Sequence, residues 1–222
     1  MEITLKIPTD YSSVTLKKWL ALMDDIKNYE GDEEAITTLT LHHLCDLDPE
    51  WIKGLSLEDM NMLRGELSSF ISNTQLPFQR FITIDGVEYG FEPNLSQMPY
   101  GAYLDITQWD TITIDTNWAK IMSVLYRPVT KKKGELYQIQ GYDGKMHPDK
   151  FLNLGMDVHF GSLFFFTNLS MDLLNATLNS LKVEELAPNI KSILARSGKD
   201  MHRLSNWQPE ILQSLKLLQP NR

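Results

Sequence analysis

The chain has 222 residues and a formal net charge of −8, from 21 Lys+Arg against 29 Asp+Glu. A hydrophobic share of 42% is too high for this charge to leave the chain disordered, and one cysteine with 12 glycines excludes a disulfide framework and a collagenous repeat. An acidic chain repels phosphate in bulk, so nucleic-acid binding would need a local basic patch.

Residues 2–7 alternate apolar and polar with period two, which predicts a short strand carrying Ile3, Leu5 and Ile7 on one face and ended by Pro8. Nothing near the start pairs a basic segment with an apolar run, so the reading expects synthesis in the cytoplasm. Leu16, Trp19, Leu20, Met23 and Ile26 recur at helical steps and predict a helix over 14–28. Gly31 breaks it. Asp32, followed by Glu33 and Glu34, opens a second helix, because carboxylates in a first turn favour the helix dipole. Asp48-Pro49 reads as an N-cap followed by proline at the first helical position. Ser56-Leu57-Glu58-Asp59 is a capping box that opens a helix through Ile71.

The period then changes from helical to two. Phe81–Ile84, Asp85-Gly86 and Val87–Phe91 form a β-hairpin pattern with a type I′ turn. A short helix is expected over 96–105 and another over 117–126, stopped by Arg127-Pro128. Lys131, Lys132 and Lys133 read as an exposed basic loop, Leu136–Ile139 as a strand, and Asp143-Gly144 as a turn. His147-Pro148 opens a short helical segment. Met156 to Lys182 reads as one long helix with a wide apolar face. A shorter helix is expected after Pro188, and a last one around Trp207. The expected fold is therefore α+β and mostly helical. It has a helical N-terminal lobe over 1–77, a β-hairpin with helices and a long C-terminal helix over 78–198, and a basic tail over 199–222.

Few residue groups carry chemistry. His42 and His43 are adjacent on a helix and point about 100° apart, so they make a poor pair for one ion, and Asp46 adds only a weak two-ligand face. Asp143–His147 reads as a turn and helix start, His159 as a hydrogen-bonded core histidine, and Cys45 as a buried reduced thiol. No nucleophile elbow, phosphate-binding loop or dinucleotide fingerprint is present. The reading assigns no catalytic residue, metal or cofactor. Phe164, Phe165 and Phe166 span roughly 200° of a helix, so either the helix is buried all round or it packs against another subunit. Charge is unevenly placed. From Lys191 to Arg222 there are six basic and two acidic residues, a net +4, which leaves −12 on the rest.

The order of segments carries a resemblance. "ITLKIPTDY", "LSLEDMNML", "ITIDGVEYGFEPNLSQMPYGAYLDI", "WAKIMSVLYRPV", "YQIQGYDG" and "MDVHFGSLFFFTNLSMDLL" together resemble virion or assembly proteins of tailed bacteriophages, the crAss-like phages among them. More loosely, the first two-thirds is similar to phage tail assembly chaperones, through a helical lobe followed by a "D-G-x-x-Y-x-F-x-P" hairpin. The resemblance covers about residues 2–178, and the basic tail has no counterpart in it. It implies a non-enzymatic morphogenesis protein, chaperone-like in tail assembly or packaged in the virion, working in the host cytoplasm during assembly. Its partners would be portal, tail or capsid proteins, or further copies of the same chain, and no membrane. The contact residues expected are Phe164, Phe165, Phe166, Trp207, Lys131, Lys132 and Lys133. Bulk charge argues against nucleic acid, while the lysine loop and the tail leave local contact with DNA open. A phage-encoded inhibitor of a host protein, acting through the acidic surface around Asp24, Asp25, Asp32, Glu33 and Glu34, is the alternative.

Overall fold

The computed structural model describes residues 7–29, 31–72, 76–108 and 114–181, with side chains in the final helix as far as Leu169. The expected first strand, apart from Ile7, and everything from residue 182 onward, including Trp207 and the basic tail, lie outside the described residues. The fold is α+β and mostly helical, with a four-stranded antiparallel sheet.

Four helices come first: α1 (Leu16–Ile26), α2 (Glu33–Cys45), α3 (Pro49–Ile52) and α4 (Leu57–Ser72). Each begins where side-chain chemistry supplies a cap. The Thr15 hydroxyl accepts from the Lys18 amide at 3.3 Å, Asp32 from Ala35 at 2.9 Å and Asp48 from Glu50 at 2.8 Å. The Ser56 hydroxyl accepts from the Asp59 amide at 3.1 Å, which caps the helix, and donates to the Asp59 carboxylate at 2.6 Å. The apolar stripe of α4 buries Leu63, Leu67, Phe70 and Ile71.

Two strands follow, β1 (Phe81–Ile84) and β2 (Val87–Phe91), joined by Asp85-Gly86. Both turn residues have positive φ, 51° and 77°, as a type I′ turn requires. Next come α5 (Tyr100–Thr107), α6 (Trp118–Leu125), β3 (Tyr126–Lys133) and β4 (Leu136–Ile139). The helix expected over 96–105 is instead a 3-10 turn at Leu95–Gln97 and a separate α5. Pro99 divides them, since the residue before a proline is pushed out of helical backbone. The strand order is β1-β2-β3-β4, with Phe81 opposite Gly90 and Phe91 opposite Tyr126.

Lys131, Lys132 and Lys133 are not a loop. They form the end of β3, opposite Gln138, Tyr137 and Leu136 of β4. Sequence patterning cannot show this, because an exposed strand of three lysines has no apolar alternation to mark it. Pro128 lies within β3 and lacks an N–H for the ladder, and the register breaks just after it, between Val129 and Lys131. The chain closes with α7 (Asp149–Leu152) and α8 (Met156–Leu181).

One cluster of buried residues runs from Tyr11 to Leu163 and draws on both the first four helices and the sheet-bearing half. At its centre the Tyr11 ring lies 4.5 Å from Phe70 and 5.2 Å from Phe160, and Trp19 lies 5.1 Å from Phe160. The Tyr11 hydroxyl donates to the Ile71 carbonyl at 3.3 Å. The start of α8 is tied to the start of α1 by backbone bonds, Leu16 to Leu154 at 3.0 Å and Met156 to Val14 at 2.8 Å. Full burial of each large apolar side chain contributes roughly 1.5–3 kcal/mol. This packing fixes where the exposed face of α8 meets the sheet.

Candidate functional site

Pro77 and Phe78, ahead of β1, lie against α8, and there the aromatic run finds its partners. Phe165 stacks on Phe78 with ring centres 4.3 Å apart and planes 19° from parallel. Phe78 meets Phe91 edge to face at 4.9 Å. Phe166 lies 5.7 Å from Phe91, and Phe164 stacks on Phe160 at 6.2 Å. Of the two expectations for the three phenylalanines, burial all round does not hold. The helix is not buried all round there, and each ring has a neighbour within the chain. All three remain half-buried.

That residual exposure opens onto a groove. A hollow of about 530 Å³ is lined by Phe78, Phe91, Leu95, Leu136, Tyr137, Phe165 and Leu169, with Arg80, Glu92 and Glu135 among its polar residues. Arg80 reaches Glu135 at 3.3 Å. A second hollow of about 330 Å³ shares Phe78, Phe165 and Leu169 and continues along Leu76, Pro77 and Phe164. Together they make an apolar trough along one side of α8. Leu136, at the tip of the β3–β4 hairpin, is 78% exposed and adds apolar area at the edge of the trough.

The far wall of the trough is held by Tyr137. Its hydroxyl donates to the Phe91 carbonyl at 2.6 Å, and burial pushes its pKa upward. Its ring covers Gly90, where an added Cβ would lie 2.8 Å from a ring carbon. The sheet therefore folds its second hairpin over its first at a position that only glycine leaves open.

The three lysines are exposed but do not act as one knot. Successive strand residues face opposite sides, so Lys132 points away from Lys131 and Lys133. Lys132 is also engaged. Its Nζ donates to Glu88 at 2.6 Å and sits 3.6 Å from the centre of the Phe81 ring.

The histidines have structural partners. His43 Nε2 lies 2.6 Å from an Asp25 carboxylate oxygen, and His42 Nδ1 lies 2.7 Å from the Leu47 carbonyl oxygen. His159 is fully buried. Its Nδ1 accepts from the Trp118 indole N–H at 3.1 Å, so the proton sits on Nε2, which donates to the Phe151 carbonyl at 3.1 Å. Burial depresses its pKa to about 3. Cys45 is buried, and burial raises its thiol to about 11, far from a reactive thiolate at neutral pH.

The sequence singles out Phe164–Phe166 but not Phe78, Leu136 and Tyr137, which line the trough with Phe164 and Phe165. Phe78 lies in an irregular segment where no period marks its direction. Among the described residues no helix is long and apolar enough to cross a membrane. Comparison of the chain with protein-family models, curated proteins and solved structures gave no match.

Proposed function

We propose that the chain is a non-enzymatic phage morphogenesis protein that works by binding another phage structural protein, as a tail-assembly chaperone or as a packaged component. The apolar trough beside α8 is the observation that supports binding as its mode of action. It pairs stacked rings that hold their shape with an exposed Leu136 that gains by being covered. The occupant that suits it is a short apolar segment of a portal, tail or capsid protein. Apolar grooves with a few rim charges take such segments through side-chain anchors, with the charges fixing direction. Arg80 and Glu135 supply those rim charges. The phage assignment rests on the sequence resemblance.

Affinity isolation from infected cells tests this reading, with Leu136→Glu as the comparison. The substitution lies on an exposed side chain and should leave folding intact. We expect a phage-encoded structural protein to be retained by the native chain and reduced roughly tenfold by Leu136→Glu, the loss of one apolar anchor and the burial of a charge. Recovery of no phage structural protein, or equal recovery with the variant, would contradict it.

A further inference from the structure

The order β1-β2-β3-β4 gives β4 a neighbouring strand on one side only. The β3–β4 hairpin turns through two residues, Gly134 and Glu135, so the flanking pair Lys133 and Leu136 exchanges its main-chain hydrogen bonds. Main-chain groups then alternate in direction along the strand. Those of Leu136, Gln138 and Gln140 face β3. The Gln138 carbonyl accepts from the Thr130 hydroxyl at 3.2 Å, and the Gln140 amide donates to the Pro128 carbonyl at 2.8 Å. Those of Tyr137 and Ile139 face the other way, and among the described residues no backbone group meets them. Unpaired groups along an edge are a template for one more strand.

The trough lies on that same side. Glu135, Leu136 and Tyr137 line it, and no residue of β3 does. A groove beside an unpaired edge offers an extended segment main-chain partners and, at every second position, a place for a side chain. A helix laid in the trough would fill it but leave the edge of β4 unpaired. The outer face of the hairpin adds a preference of charge. Lys131 and Lys133 share that face with Gln138 and Leu136, and both lysines are exposed. The acids beside them are engaged, Glu88 by Lys132 and Glu135 by Arg80. A second copy of the chain is therefore a poor occupant, because its own β4 brings no free acid to these lysines.

We infer that the occupant of the trough binds as an added strand on the free edge of β4. Its apolar side chains, at every second position, turn into the trough, and acidic ones between them lie toward Lys131 and Lys133. The inference rests on the trough as the docking face and names the form and chemistry of the segment that enters it.

Titration of the full-length ¹⁵N-labelled chain with a blocked octapeptide of alternating valine and glutamate tests it, read by amide shifts and by hydrogen exchange. Saturable binding is expected, with Kd on the order of 1 mM. At saturation the Tyr137 and Ile139 amides should exchange roughly tenfold more slowly, and those of Leu136, Gln138 and Gln140, already bonded to β3, should not change. Lys131→Glu with Lys133→Glu alters exposed side chains only, so the fold is kept, and should weaken binding roughly tenfold. The same peptide with lysine in place of glutamate should bind more weakly to the native chain. Absence of saturable binding, or protection that does not alternate along β4, would overturn strand addition. Slowed exchange at Tyr137 and Ile139 that grows with protein concentration and without peptide would overturn the foreign occupant in favour of a second copy. Tighter binding of an octathymidylate through Lys131 and Lys133 would overturn it in favour of nucleic acid. Retention of a phage structural protein through Leu136 without the alternating protection would overturn the strand mode and leave the trough as docking face. Alternating protection with no phage protein retained would uphold strand addition and remove the phage assignment alone.

Discussion

His159 shows how a single side chain can be read twice. In the sequence it is a polar residue on an apolar helix, and the reading of a hydrogen-bonded core histidine followed from that alone. The structure adds the partners, Trp118 and Phe151, and with them the tautomer. The unfolded imidazole takes up a proton near its ordinary pKa of 6.5, while the folded one does so only near 3. Between those values the unfolded state binds more protons, so this contribution to stability is complete above pH 6.5 and is lost as pH falls toward 3. The native chain should lose about 2 kcal/mol more between pH 6.5 and 4.5 than His159→Gln does. Urea denaturation of both at the two pH values measures it, and equal losses would show that the imidazole is not held neutral. By contrast, Arg127 appears in the sequence only as part of a helix stop. Nothing in the sequence pairs it with Glu92, 35 positions away, because the contact arises from strand pairing and not from spacing.

At the scale of elements, legibility followed local chemistry. The capped helices and the Asp85-Gly86 hairpin were readable because their signals lie within a few residues of one another. The β3 strand was not, since Lys131–Lys133 are exposed on both faces and leave no alternation to detect. The trough was half legible for the same reason. The run Phe164–Phe166 announces itself, but Phe78 and Leu136 reach it only through tertiary packing. Gly90 and Tyr137 hold the two hairpins together, and they carry a prediction about this element. Gly90→Ala places a methyl against the Tyr137 ring and should cost about 1–3 kcal/mol. In a Tyr137→Ala background the same change should cost less, because the ring it strikes is gone and the 3.1 Å approach to the Ile139 methyl remains. Chemical denaturation of the four chains gives the coupling directly. An equal cost in both backgrounds would mean that the ring does not constrain the position.

At the scale of the whole molecule, two hollows of different character border one sheet. The apolar trough runs along α8 with Leu136 at its end, and a smaller cavity of mixed charge is lined by Arg127, Asp143, Lys145 and Lys150. The division of charge into a −12 body and a +4 segment from Lys191 is plain in the sequence, but which surface meets which partner depends on packing that composition does not encode. The most direct test of the trough as the docking face is photo-crosslinking in infected cells, with a benzophenone amino acid in place of Leu136. The same group in place of Leu57, a comparably exposed leucine at the start of α4, serves as the control. The account predicts that position 136 captures a phage structural protein, identified by mass spectrometry, and that position 57 does not. Capture of only host proteins at position 136, or the same products from both positions, would contradict it.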